Sequence, residues 1–325
     1  MTRKIPTKIA YIMIVSIVCL LALLFFYFAN RSVPGTITRV EFDQTITDLE
    51  PNVYFSVMID NFYDNRFQAG LASAPIVYEA MVEGGATRLL AVFDKNNLPD
   101  KIGPIRSARP YFLDWADEYG GIFMHAGGSP QALASLSGKD HQFGNVDEIS
   151  YQGIYFYRDY QKVNPHNLFT SPELINQAWD KYAEQIDFNS GWEIKFDLAL
   201  DFRTQADKQI VIPYPLDSYQ VTWIYDRDSN NWQRWTNNEF NQIEAKNIVV
   251  LFLETKLIDV ERLSMDTIGQ GSALIFRDGQ KQEIIWRKSA SSSPLELWAG
   301  ERKAQLNQGN IWFEVLPSYL NIEYN

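Results

Sequence analysis

Four short stretches of the chain combine residue types that could do chemistry. The first is GPIRSARP, Gly103 to Pro110, which sets Arg106 and Arg109 three residues apart. Proline at 110 disfavours helical backbone at Arg109 and favours the first turn of a helix beyond it, so Arg109 is expected at a helix cap. Unpaired N–H groups there carry partial positive charge, and two guanidiniums beside them make a fork suited to phosphate or carboxylate. Pairing of both arginines with structural acids is the competing reading. The second stretch, HAGGSP, repeats the layout: His125, then Gly127 and Gly128, which let backbone approach a ligand, then Ser129 as cap and Pro130 at the first helical position.

The third stretch is VYEAMVEGGATRLLAVF. A two-residue turn at Gly84-Gly85 would place Met81 opposite Arg88. Glu79, Met81 and Glu83 would then share one face, with Arg88 diagonal to both glutamates. That would be a carboxylate pair, one member restrained by Arg88 and the other free to move a proton. A charge-balanced hairpin is the plainer alternative. In the fourth stretch, VNPHNLFT, His166 and Asn167 follow Arg158 of YFYRDY. The chain has three histidines. His125 and His166 fall in loops where function concentrates, whereas His141 reads as a surface residue. His125, His166 and a glutamate lack the spacing of known zinc motifs, so no metal site is expected.

The elements needed to position these residues follow from periodicity. FSVMID and GIFMHAGG read as strands, and PYFLDWADEYG, SPQALASLSG and SPELINQAWDKYAEQ as helices, the last capped by Ser171 with Pro172 behind it. This alternation predicts a layered α/β domain over residues 53–190, a mixed sheet with flanking helices. Ligands of such sheets bind at the carboxyl edge of the strands, where the arginine and glycine loops would meet. Beyond about Gly191 the texture changes. YQVTWIYDRDSNNWQRW alternates around a polar turn, SALIFRDGQKQEIIWRKS carries the Asp278-Gly279 hairpin signal, and NIWFEVLP closes the series. Residues 191–325 are therefore expected to form a smaller, mainly antiparallel β domain, with its tryptophans in the core.

The amino end has a different composition. MTRKIPTK bears three basic residues and no acid, and a run of about 20 apolar residues follows from Ile9 to Phe28, enough to span a bilayer. Residues 1–30 are expected to be an uncleaved membrane anchor, residues 31–52 a tether, and the body extracytoplasmic. Lipidation at Cys19, the single cysteine, and secretion after cleavage are the alternatives. The net charge of the 325-residue chain is −11. Outside the leader, 26 of the 29 basic side chains face 40 acidic ones, a net of −14. Such a field excludes nucleic acid as a partner, so an anion must be met locally.

VYEAMVEGGATRLLAVF, IGPIRSARPYFLDWADEY, FMHAGGSPQAL and NPHNLF occur in that order, followed by GSALIFRDGQ, IIWRK and NQGNIWFEVLP. Together they resemble the YerB-like extracytoplasmic lipoproteins of Gram-positive bacteria, over nearly the whole body. That family has no firmly assigned biochemical role. The resemblance implies that Glu79, Glu83, Arg88, Arg106, Arg109, His125, Gly127, Gly128, Ser129, His166 and Asn167 occupy family motif positions. One departure concerns the tether: family members carry a lipidation cysteine where this chain has an apolar span. A looser similarity of element order and arginine loop links the chain to the LytR–CpsA–Psr ligases, as analogy only.

The first functional expectation is an envelope protein that binds an anionic cell-wall polymer or lipid-linked precursor through Arg88, Arg106, Arg109, Gly127, Gly128, Ser129, His166 and Asn167. An enzyme using Glu79, Glu83 and His125 is the alternative, as a glycan hydrolase or as a phosphotransferase on a lipid-linked glycan. No cofactor is expected for the first reading; the phosphotransferase would require magnesium on a carboxylate. The third expectation is a structural adaptor that contacts another envelope protein.

Overall fold

The computed structural model describes residues 53–63, 68–138, 140–184, 186, 188, 190–205, 207–260 and 262–325. All of these lie within one compact unit. The expected anchor, the tether and Cys19 fall outside the described residues. Among the described residues no helix is long and apolar enough to cross a membrane.

The sequence patterns named above produce the expected local elements. Strand β1 covers Tyr54–Asp60, β2 Ile76–Met81, β3 Thr87–Asp94, β4 Ile122–His125 and β5 Gly144–Asp147. Among the described residues the α-helices are α1 (Pro110–Ala116), α2 (Pro130–Leu136) and α3 (Pro172–Tyr182). Each begins with proline at its first position, after Arg109, Ser129 and Ser171 respectively. Arg109 has extended backbone at the cap, as the following proline requires. Asp278 and Gly279 both have positive φ, the mirror-image turn that suits a two-residue hairpin between Gly269–Arg277 and Gln280–Lys288.

The main sheet has eleven strands. Its order is Arg302–Lys303, Glu296–Ala299, Gln280–Lys288, Gly269–Arg277, Asn247–Leu253, Ile311–Pro317, β2, β3, β1, β4 and β5. Ile311–Pro317, expected to close a series in the second half, inserts in parallel between β2 and Asn247–Leu253. It is buried along its whole length, which explains why its apolar run shows no clean alternation. The first and second halves of the body therefore contribute to one sheet.

A five-stranded sheet of Glu239–Ala245, Asn231–Thr236, Val221–Asp226, Gln209–Ile212 and Glu323–Tyr324 forms a second layer. Side chains in and beside this layer reach one face of the main sheet: Tyr214 and Trp223 donate to Glu314 of Ile311–Pro317, and Arg234 donates to Glu79 of β2. The opposite face of β2 packs against α1, where Tyr78 stacks between Trp115 and Phe313. Trp115, Trp223 and Trp232 are among the largest fully buried side chains, so tryptophan serves the core here.

Candidate functional site

The predicted register of the β2–β3 hairpin is corrected by one residue. Ala80 lies opposite Arg88, and Met81 lies opposite Thr87. Glu83–Gly85 forms a single 3-10 turn closed by the Val82 N–H donating to Ala86. A three-residue loop of this kind shifts the pairing, and a one-residue slip exchanges the faces of a strand. Glu79 and Arg88 consequently point to opposite sides of the sheet, and the expected Glu79/Glu83 pair does not assemble.

Glu79 faces the five-stranded layer and is fully buried. Arg234 donates to both of its oxygens, at 3.1 and 2.8 Å, and Asn61 and Thr87 also donate to Oε1. Glu314 is its register neighbour on the adjoining parallel strand. Burial, with Glu79 beside it, pushes the Glu314 carboxyl up to about 8. This acid cluster is paired within the protein and closed to solvent.

Arg88 lies on the α1 side. Burial, reinforced by Arg109 and Arg106, brings its guanidinium down to about 10. Its Nη1 donates to the Ser107 carbonyl at 2.7 Å, and no carboxylate of the described residues comes within ion-pairing distance. The loops that carry the other two arginines are stitched to the sheet edge. Arg106 N–H donates to Met58, Asp60 N–H to Pro104, and Ala108 N–H to Gly127. The arginine loop and the glycine loop after β4 are thus direct neighbours, at the edge where β1, β4 and β5 end.

Arg109 is engaged. Its Nε and Nη2 donate to the two Glu83 oxygens at 2.6 Å each, and its Nη1 donates to Ala108 at 2.7 Å. Although burial alone would raise the Glu83 carboxyl, these bonds hold it below the usual range. Arg106 is less satisfied. Its nearest acid oxygen belongs to Asp60, 3.6 Å from Nε, and that buried Nε has no hydrogen bond. Asp60 is held on its other oxygen by a short bond to Nδ1 of His166, whose ring stacks on Phe62 at 4.3 Å. Among the described residues, three guanidiniums thus gather around two carboxylates.

The remaining expected residues have structural partners. His125 is fully buried, with Nδ1 bonded to the Gly127 carbonyl and Nε2 to Asn145. Both ring nitrogens are thus taken up by partners within the protein. Gly127 adopts φ 64°, a value a side chain would strain, and donates to Asp147. A Cβ at Gly128 would lie 3.3 Å from the Ala108 carbonyl, so this glycine permits loop contact. The Ser129 hydroxyl caps α2 by accepting from Ala132. Asn167 accepts from Arg158, which also pairs with Glu148 at 3.1 Å.

Sequence reasoning passed over Asp60, Arg234 and Glu314, whose partners lie far away along the chain, and Glu148, which meets Arg158 ten residues on. It also read His141 as a plain surface residue. His141 Nδ1 meets Asp117 at 2.9 Å and its Nε2 meets Ser135 at 3.2 Å. The bond to Asp117 raises the imidazole above its ordinary value. Among the described residues, no group of three or more His, Cys, Asp or Glu side chains could hold a metal ion.

A mixed α/β layer joined to an antiparallel β layer, with an arginine cluster at the edge of the shared sheet, defines the class of protein. The chain belongs to the family described as "Protein of unknown function (DUF3048)": its N-terminal domain matches residues 43–186 and its C-terminal domain residues 210–313. The chain is 29% identical over 300 residues to the Bacillus subtilis (strain 168) protein described as "Putative lipoprotein YerB", covering 83% of this chain and 86% of the relative. The crystal structure of YerB from Bacillus subtilis superposes with a TM-score of 0.72 at 23% identity, covering 86% of this chain and 98% of that one. The structural likeness bears out the fold.

Proposed function

We propose that this protein binds an anionic ligand of the cell envelope at the edge formed by Arg88, Arg106 and Arg109, with His166 and Asn167 supporting the adjoining loop. The body would act outside the cell, held at the membrane, in line with the lipoprotein description of its relative. The carrying observation is the charge imbalance: three guanidiniums with two carboxylates among the described residues, and a buried Arg106 Nε without a hydrogen bond. The Arg106 side chain is 26% exposed, so an acidic oxygen can reach its guanidinium beside that sealed Nε. Phosphate and carboxylate both fit a guanidinium fork.

The acid/base enzyme reading has weaker support, because Glu79 is closed off behind Arg234 and Glu83 is occupied by Arg109. The test is titration of the full-length chain with inorganic diphosphate, alongside a pull-down of soluble wall fragments. Arg106→Gln should lower affinity about tenfold or more while the thermal transition stays in place. Unchanged affinity in that variant would falsify the site.

A further inference from the structure

Beside the arginine edge lies an open cleft of about 540 Å³, lined by Glu83, Arg109, Ser129, Asp259, Val260 and Arg262. This is within the size range of small-molecule sites. One wall comes from the second half of the chain, a ribbon in which Thr255–Leu257 pairs with Leu263–Met265. The ribbon is pinned at its base by a short bond from Thr267 to Asp114 of α1, and near its tip by Arg262 Nη1 donating to Gln131 of α2 at 2.7 Å. Between these ties the ribbon presents Leu257 at 68%, Ile258 at 50% and Val260 at 94% exposure. Leu133 of α2 is also exposed. Scattered apolar side chains need no explanation, but three on one ribbon, with Val260 in the wall of a charged cleft, do.

We infer that the ligand is an amphiphile, with a phosphate or diphosphate head at Arg109 and Arg262 in the cleft and a hydrocarbon chain lying along Leu257, Ile258 and Val260. This inference rests on the anion reading of the same edge and narrows its ligand class. Charge complementarity selects the head. Arg109 and Arg262 each share their charge with one carboxylate, Glu83 and Asp259, each 2.6 Å from the Nε. Arg88 and Arg106 provide the positive excess behind them, and a diphosphate, unlike a single carboxylate, can satisfy several guanidiniums at once. The exposed aliphatic tip provides what a free sugar phosphate or a wall peptide would leave unused. Hydrocarbon laid against it would remove apolar surface from water on both sides.

The experiment titrates the full-length chain, in mild detergent, with inorganic diphosphate and with farnesyl diphosphate below its micelle concentration. The expected result is farnesyl diphosphate binding at least about tenfold tighter than diphosphate. The combined variant Leu257→Ser, Ile258→Ser, Val260→Ser should lose that gain and keep the diphosphate affinity. These side chains are exposed, so the fold should tolerate the change. Equal affinity for the two probes in the unaltered chain overturns the amphiphile and leaves anion binding standing. A gain that survives in the triple variant overturns the role of the ribbon. Failure of both probes to bind overturns the anion reading and this inference together.

Discussion

The two faces of the β2–β3 hairpin treat buried charge in opposite ways. On the face toward the five-stranded layer, Glu79 receives Arg234, Asn61 and Thr87, and Glu314 receives Tyr214 and Trp223. On the face toward α1, Arg88 has a single carbonyl and Arg106 a carboxylate 3.6 Å away. A closed network of this kind holds layers together, since removing any member strands its partners away from water. An incompletely paired cluster at a solvent edge retains capacity for a ligand. The contrast teaches that the glutamate singled out for chemistry serves the fold, while the arginines beside it carry the functional reading.

The largest effect that would test this contrast is expected from Arg234→Ala. It leaves Glu79 buried beside Glu314 without its cation and should cost about 3–5 kcal/mol. Denaturant unfolding would measure it, and a loss under about 1 kcal/mol would mean the closed face is not the clamp described here. A smaller effect concerns the proton on Glu314. Burial and Glu79 push its carboxyl from 4.5 up to about 8 in the folded chain. The folded state therefore keeps a proton that the unfolded chain releases between those values. Its contribution is complete below about pH 4.5 and is lost as pH rises to about 8. Glu314→Gln should flatten that slope and raise Tm by a few degrees at about pH 9, where a neutral amide replaces an ionised acid. Identical melting profiles across this range would refute the assignment.

On the open face the stability effects shrink and the binding effects grow. Arg106→Gln should change stability by about 0.5–1 kcal/mol or less while weakening diphosphate binding. A large destabilisation there would make the two faces alike. Glu83→Gln releases Arg109 from its partner and should cost about 1 kcal/mol or less, because the pair is only partly buried. The same change should tighten diphosphate binding several-fold by adding a free guanidinium. Weaker binding in that variant would show that Glu83 presents Arg109 to the ligand instead of competing for it.

Much of the local structure was readable from the chain. Proline after Arg109, Ser129 and Ser171 marked the starts of the three α-helices among the described residues, because its ring restricts the backbone on both sides. Asp278-Gly279 marked its hairpin, because few residues accept two positive φ values in succession. The Gly84-Gly85 signal gave the hairpin but not its register. The choice between a two-residue and a three-residue loop is made by packing of both strand faces, and that choice decided which glutamate met which arginine.

By itself the sequence determined where the proline-marked helix starts and the Asp278-Gly279 turn fall, since those depend on steric preferences within a few residues. It also determined that both the arginine and the glycine loop open helices, whereas only the glycine loop directly follows a strand. Only the tertiary structure decided that Ile311–Pro317 joins the first half's sheet, that Arg234 reaches across to Glu79, and that a ribbon from the second half lines the cleft beside Arg109. Each of these brings together residues more than a hundred positions apart, and no short-range preference specifies such a pairing. They are selected by the burial of whole faces and by the demand that every enclosed charge find a partner.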